Sequence, residues 1–217
     1  MSENYDYETD FINNHRIYKI KSDNENILNY PSVTSITGMY FENYLNHWKK
    51  RVGEEYVETE MDKAKRRGTD IHSMIENYLK NQNKPQENNP NILMFNNMIS
   101  EIDKIDKILK IEHFLLSHEL EVAGTVDCIG YYEDVLSVID FKTSKRKKYK
   151  SNCKNYFMQC AAYAACYNEM YSEKIENLVI IMGVDQDNKC LVFKSKLSDH
   201  IDNFKIFRNK FRIKYSI

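Results

Sequence analysis

The sequence predicts an α/β protein in which helices flank a mixed central sheet and a mainly helical lobe precedes that sheet. Three observations favour this fold class. Residues 122–131 and 135–141 alternate between apolar and polar side chains and are separated by the polar residues 132–134, as in two strands joined by a tight turn. A helical pattern follows at residues 152–171. A strongly apolar strand, residues 176–185, comes after it, and this order predicts a mixed sheet.

The 217 residues suit a single domain with one hydrophobic core. We expect a loose tail at residues 1–14, a mainly helical lobe at residues 38–110, a catalytic sheet with its helix at residues 111–195, and a C-terminal helix at residues 197–214. Within the lobe, we expect residues 68–70 (Gly-Thr-Asp) to end one helix and to begin the next.

Shorter elements are expected at the edges of this plan. Residues 15–21 alternate and predict an edge strand, which returns through a polar turn at residues 23–26 into residues 27–30. Residues 80–90 are rich in Asn, Gln and Pro and predict a loop.

Composition restricts the partners and the compartment. The net charge is −1, so a nucleic acid would have to be bound by local basic patches. No apolar run is long enough to cross a membrane. The first ten residues are acidic and polar, unlike a secretory signal or an Arg-rich transit peptide. A cytoplasmic protein is therefore expected, in the host cytoplasm if the source is viral.

Charged residues inside the two central strands are the main functional signal. Asp127 lies in the first strand, and Asp140 and Lys142 lie near the end of the second. Aspartate is disfavoured in strand interiors, and alternation places residues 140 and 142 on one face. Two carboxylates and an ammonium indicate a site for a hard cation. The alternative is an Asp-x-Lys pair on a solvated sheet face, which is common and has no function.

Five short motifs occur in an order and at spacings that resemble one known superfamily. They are Pro31-Ser32-Val33-Thr34, Arg67-Gly68-Thr69 with His72 and Glu76, Gly124-Thr125-Val126-Asp127, Asp140-Phe141-Lys142-Thr143, and Gln159 with Tyr163. The arrangement resembles the PD-(D/E)xK nucleases. Within them it is most similar to the RecB-like exonucleases, which include the mitochondrial genome maintenance exonucleases and their phage relatives. The resemblance extends from about Tyr30 to about Tyr171.

This resemblance implies a restriction-endonuclease-like core and a metal-dependent active site. The implied metal ligands are Asp127, Asp140, the backbone carbonyl of Phe141, His72 and Glu119. Lys142 would orient or activate the attacking water and steady the developing charge. On periodicity alone, His72 and Glu76 are a surface pair on one helix face. The resemblance instead assigns catalysis and the metal to His72, and assigns to Glu76 the orientation of that imidazole.

Several further residues are expected to hold DNA or to support the site. The segment after Lys142 is strongly basic and could grip phosphates at the rim of the cleft, or it could be a solvated loop. Its residues are Thr143, Ser144, Lys145, Arg146, Lys147 and Lys148. The resemblance adds Gln159, Tyr163 and Arg67. Ser32 and Thr34 would lie near the DNA path or cap a helix, and both interpretations remain open.

The resemblance implies a metal-dependent DNA exonuclease that acts from free ends, with single-stranded DNA as its substrate, in replication, repair or recombination. The alternatives are a duplex-degrading recombination exonuclease, a structure-specific endonuclease, and a non-catalytic nucleic-acid-binding accessory protein. Mg²⁺ is the expected cofactor, and Mn²⁺ is expected to substitute for it. Unwinding would need a partner such as a helicase, and a polymerase or a single-strand-binding protein are further expected partners.

Some RecB-like nucleases carry an iron–sulfur cluster held by four cysteines, one of them far upstream. The five cysteines here are Cys128, Cys153, Cys160, Cys166 and Cys190. None precedes Cys128 and no CxxC pair occurs, so we expect reduced thiols and no iron–sulfur cluster.

Overall fold

The computed structural model of the protein describes residues 5–21, 26–81 and 85–217. Most of the turn expected at residues 23–26 and the middle of the loop expected at residues 80–90 lie outside the described residues. Within the described ranges, eight strands form two sheets with helices packed around them.

A three-stranded antiparallel sheet lies at the start of the chain. Its strands are β1 (Tyr7–Ile12), β2 (His15–Lys21) and β3 (Ile27–Pro31). The expected loose tail is wrong for residues 7–12, and β2 is the central strand rather than an edge strand. Asn13 and Asn14 have positive φ angles of 53° and 63°, which asparagine tolerates, and they form the two-residue turn that pairs β1 with β2.

The second sheet contains five strands in sequential order, and it confirms the prediction of a mixed α/β architecture. The strands are β4 (Ile105–Ser117), β5 (Val122–Tyr132), β6 (Val135–Ser144), β7 (Asn177–Val184) and β8 (Lys189–Lys196). Only the β6–β7 pair is parallel among these neighbours. The sheet begins at Ile105, earlier than the expected residue 111.

Helices cover both faces of this sheet. The helices in the described ranges are α1 (Val33–Gly38), α2 (Glu42–Val52), α3 (Glu54–Asn81), α4 (Ile92–Ile102), α5 (Lys154–Met170) and α6 (Ile201–Tyr215), with 3₁₀ turns at Met39–Phe41, Lys150–Cys153 and Leu197–Asp199. Of these, α2 packs on α3 rather than on the sheet. Helices α3 and α4, from the expected helical lobe, pack directly on β6, β7 and β8, and α5 lies with α1 and α6 on the other face.

Strand β7 shows how the core is divided between the two faces. Leu178, Ile180 and Met182 are buried with α5, whereas Val179 and Ile181 are buried with α3 and α4. A strand buried on both faces requires apolar residues throughout, which explains why this segment does not alternate. None of the helices in the described ranges combines the length and the apolar composition that crossing a membrane requires.

Helix α3 is continuous, so the helix break expected at residues 68–70 is wrong. A Cβ atom at Gly68 would meet nothing within 4 Å, and a single glycine costs a helix only about 1 kcal/mol. Burial of Ile71 and Ile75 outweighs that cost. The helix begins after Gly53, whose φ of 92° ends α2.

Candidate active site

The candidate site lies where the pairing between β5 and β6 ends. Cys128 and Ile139 are the last paired residues, so backbone hydrogen bonds do not hold Asp127 opposite Asp140. Instead, Asp127 Oδ2 accepts a hydrogen bond of 2.9 Å from the backbone N–H of Phe141. The structure therefore brings both predicted aspartates to the same end of the strand pair.

His72 reaches this position from α3. Its Nε2 lies 2.7 Å from the carbonyl oxygen of Phe141, and its Nδ1 lies 3.6 Å from Asp127 Oδ2. Because a carbonyl only accepts, Nε2 carries the hydrogen, and in the neutral ring Nδ1 keeps a lone pair facing Asp127. Histidines that bind metals commonly donate their other N–H to a backbone carbonyl. Phe141, expected as a metal ligand, thus has its carbonyl engaged in orienting His72.

Glu112 is the acidic residue that the sequence analysis missed. His72, Glu112 and Asp127 each offer one ligand atom, and these atoms lie within 4.8 Å of one another. Although the residue as a whole is exposed, partial burial of its carboxyl and then the negative charge of Asp127 raise the pKa of Glu112 to about 7. We call His72, Glu112 and Asp127 the open cluster.

The position of Glu112 follows from the β4–β5 register. Ile111 pairs with Cys128 and His113 with Val126, which places Glu112 across from Asp127. Glu112 has a φ of 45°, which is uncommon for a non-glycine residue within a strand. Such backbone strain is concentrated at functional sites. Like charges at directly opposite positions destabilise a sheet, so this arrangement favours a cation between them.

Asp140 forms the second half of the site and is only 2% exposed. Its Oδ1 accepts hydrogen bonds from Lys142 Nζ at 2.6 Å and from Gln159 Nε2 at 3.0 Å. Among the described residues, nothing hydrogen-bonds to its buried Oδ2. We call Asp140, Lys142 and Gln159 the closed cluster. A buried acceptor without a partner is costly, and it marks a position where a ligand can bind.

The charges in the closed cluster follow from burial and pairing. Burial raises the pKa of Asp140 to about 6, although Lys142 opposes this rise. Burial alone would lower the pKa of Lys142, but the charges of Asp140 and Asp127 outweigh it and raise that pKa above its ordinary value. At neutral pH the pair is therefore ionised, and Lys142 acts as a fixed positive charge.

Gln159 and Tyr163 lie one helical turn apart on α5, as their spacing predicts. Gln159 contacts Asp140 directly, whereas Tyr163 is buried against β5. A Cβ atom at Gly124 would lie 2.9 Å from the Tyr163 hydroxyl oxygen, so only glycine allows this approach. Both side chains thus connect α5 to the strands that carry the two aspartates.

Two expected acidic residues have other partners in the structure. Glu119 lies in the turn at residues 118–121, largely exposed and 3.6 Å from Lys205, and it does not belong to the open cluster. Glu76 is close enough to act electrostatically on Glu112, but its carboxylate pairs with Lys80 at 2.6 Å. Phe141, rather than Glu76, provides the hydrogen bond that orients His72.

The basic segment after Lys142 is anchored at both ends. Lys145 lies 3.2 Å from Glu60 on α3, and Lys148 donates a hydrogen bond of 3.0 Å to the hydroxyl of Tyr156 on α5. Arg146 and Lys147 are exposed between them. Of the polar residues before them, Ser144 is buried and bonds to the carbonyl of Arg146, and Thr143 is half-buried.

The remaining expected DNA contacts have structural roles in the described residues. Ser32 caps α1 by accepting a hydrogen bond from the Ser35 N–H, and its hydroxyl lies 2.6 Å from that of Thr34. Arg67 lies 3.9 Å from Asp185, in the turn after β7. All five cysteines are free thiols, and four of them are buried.

Comparisons with known proteins do not identify a family for this chain. No protein-family model matches the chain, and no curated protein matches its sequence. The functional assignment therefore rests on the residues themselves and on the motif resemblance.

Proposed function

We propose that the protein is a metal-dependent deoxyribonuclease that hydrolyses phosphodiester bonds from free ends, with single-stranded DNA as its substrate. One observation carries the proposal: the backbone of Phe141 joins the open cluster to the closed cluster. Its N–H donates to Asp127 and its carbonyl accepts from His72, while the preceding residue, Asp140, pairs with Lys142. Phosphodiester hydrolysis needs metal ligands beside a fixed positive charge, because anionic oxygens repel the attacking water.

The donor set fits a hard divalent cation. Two carboxylates and one imidazole suit Mg²⁺ or Mn²⁺, and Asp140, whose Oδ2 has no hydrogen-bond partner among the described residues, would add a further oxygen. His72, Glu112, Asp127 and Asp140 would hold the ion. When bound, the cation would offset phosphate charge and lower the pKa of a coordinated water.

The closed cluster would act on the substrate through Lys142. The raised pKa keeps its ammonium protonated, so it donates hydrogen bonds to the attacking water and to a phosphate oxygen instead of removing a proton. Gln159 holds Asp140, and Asp140 holds Lys142, so the positive charge is in place before the substrate binds. The exposed Arg146 and Lys147 would bind the flanking phosphates.

The preference for free ends and single strands rests on the resemblance to RecB-like exonucleases. It is tested by a time course on end-labelled linear single-stranded DNA with Mg²⁺, Mn²⁺ or EDTA, with a circular single strand and a linear duplex in parallel. The variants are Lys142→Ala and, as a control, Lys210→Ala, which changes an exposed lysine on α6.

We expect wild type and Lys210→Ala to shorten the linear strand only when a metal is present, while the circle survives. Cutting of the circle would indicate an endonuclease, and faster loss of the duplex would indicate a recombination exonuclease. Salt-dependent DNA binding by folded protein without any hydrolysis would indicate a non-catalytic accessory protein.

A further inference from the structure

Tyr156, in the first turns of α5, contacts two lysines from different parts of the site. The Nζ of Lys142 lies 5.3 Å from the centre of its ring, and the Nζ of Lys148 lies 5.0 Å from it. Lys148 also donates to the Tyr156 hydroxyl. An ammonium within about 6 Å of an aromatic ring centre is attracted by the electron-rich face, more strongly when it is desolvated.

Helix α5 therefore contacts both members of the Asp140–Lys142 ion pair. Gln159 donates to Asp140, and Tyr156, three residues earlier, contacts Lys142. Residues three apart are neighbours on a helix surface, so a single rigid element supports both charges. A lysine ammonium is a point charge on a flexible stem, and its hydrogen bond to Asp140 alone fixes distance better than direction.

We propose that Tyr156 is a positioning residue: its ring fixes the ammonium of Lys142 beside Asp140, and its hydroxyl holds Lys148 beside the same ring to receive a neighbouring phosphate. The kinetic part of this inference rests on the proposed nuclease function, whereas the placement of Lys142 does not. The effects of the ring and of the hydroxyl can be measured separately, because Tyr156→Phe keeps the ring and removes the hydroxyl.

The experiment compares Tyr156→Leu and Tyr156→Phe with wild type. Tyr131→Leu is the matched control, because Tyr131 has a similar lysine contact, with Lys107 Nζ 5.6 Å from its ring centre, outside the site. Three quantities are measured for each protein, after thermal unfolding has shown that it is folded. They are kcat and KM on linear single-stranded DNA with Mg²⁺, and the rate at which Lys142 is acylated by an amine-reactive reagent, followed by peptide mass spectrometry.

We expect Tyr156→Leu to lower kcat about tenfold, with KM within about threefold, because the loss is of the orientation of one charge. Tyr156→Phe should restore kcat and raise KM. Acylation of Lys142 should be faster in Tyr156→Leu than in wild type, Tyr156→Phe or Tyr131→Leu. If kcat is unchanged in Tyr156→Leu, or falls equally in Tyr156→Phe, the ring does not position Lys142.

The acylation rate of Lys142 distinguishes failure of the nuclease proposal from failure of the Tyr156 proposal. If wild type hydrolyses no DNA but Lys142 is acylated faster only in Tyr156→Leu, the nuclease proposal fails and the placement by Tyr156 stands. Equal acylation rates in all four proteins would overturn the placement itself.

Discussion

The open cluster and the closed cluster each contain one of the two predicted aspartates, but they differ in how the negative charge is balanced. In the closed cluster, the buried carboxylate of Asp140 has an ammonium and an amide as partners. In the open cluster, the carboxylates of Glu112 and Asp127 face each other, and like-charge repulsion contributes to raising the pKa of Glu112 to about 7. In the closed cluster the chain itself supplies the balancing positive charge through Lys142, whereas in the open cluster our proposal assigns that role to a bound cation.

This difference also separates the roles of the two aspartates, which the sequence presents as equivalents. Asp127 is a proposed metal ligand that also accepts a hydrogen bond from the backbone N–H of Phe141. Asp140 pairs with Lys142 and keeps one oxygen without a hydrogen-bond partner among the described residues. Loss of Lys142 should therefore affect chemistry, and loss of Glu112 should affect the metal.

The largest expected effect is that of Lys142→Ala on the closed cluster. Hydrolysis should fall about 10²–10⁴-fold, because the fixed charge beside the reacting phosphate is lost. Mn²⁺ affinity, measured by isothermal titration calorimetry, should not fall, since the proposed ligands remain and the ammonium that pairs with Asp140 and repels a cation is removed. Loss of Mn²⁺ binding together with activity would contradict the assignment of Lys142 to the chemistry.

Glu112→Gln tests the open cluster in the same way. The Mg²⁺ concentration that gives half-maximal hydrolysis should rise about tenfold or more, because one charged ligand is removed. Glu119→Gln is the matched control, and its Mg²⁺ dependence should equal that of wild type. If Glu119→Gln raised the Mg²⁺ concentration for half-maximal hydrolysis and Glu112→Gln did not, Glu119 would be the third carboxylate of the site.

Gly124→Ala tests the packing behind the closed cluster. A Cβ atom 2.9 Å from the Tyr163 hydroxyl must displace that ring, so the free energy of unfolding should fall by about 1–3 kcal/mol. Gly68→Ala is the control: its Cβ meets nothing within 4 Å, and it should raise the free energy of unfolding by up to about 1 kcal/mol. Thermal unfolding followed by circular dichroism measures both.

The smallest expected effect is on the pH dependence of stability without metal. Glu112 binds its proton more tightly in the folded state, since its pKa is raised from 4.5 to about 7. Its contribution to stability is therefore present below pH 4.5 and is lost as the pH rises through about 7. Urea unfolding of metal-free wild type and Glu112→Gln should show this loss only in wild type, and saturating Mg²⁺ should abolish it. An identical slope in both proteins would contradict the raised pKa.

Period-two alternation predicted the strands that carry Asp127, Asp140 and Lys142, because each strand has a buried face. Helical spacing likewise placed Gln159 and Tyr163 on one face of α5. These parts of the fold and site depend on local patterns, and such patterns can be read directly from the sequence.

The position of Glu112 in the site depends on the pairing between two strands, so a local sequence pattern does not predict it. Glu119 was expected because it is close to the hairpin along the chain, but the turn at residues 118–121 places it outside the ladder. In an antiparallel hairpin, residues at equal distances on the two sides of the turn face each other. The residue opposite Asp127 is therefore Glu112. The positive φ of Glu112 and the two register shifts earlier in β4 depend on packing and leave no local signal.

Anomalous diffraction from crystals grown with Mn²⁺ would show whether the open cluster binds a divalent cation. We expect a manganese peak in contact with His72, Glu112 and Asp127, close to Asp140 Oδ2 and absent in crystals of Glu112→Gln. A peak at Glu119 instead, or no peak near Asp127 in crystals saturated with Mn²⁺, would show that the open cluster is not the metal site.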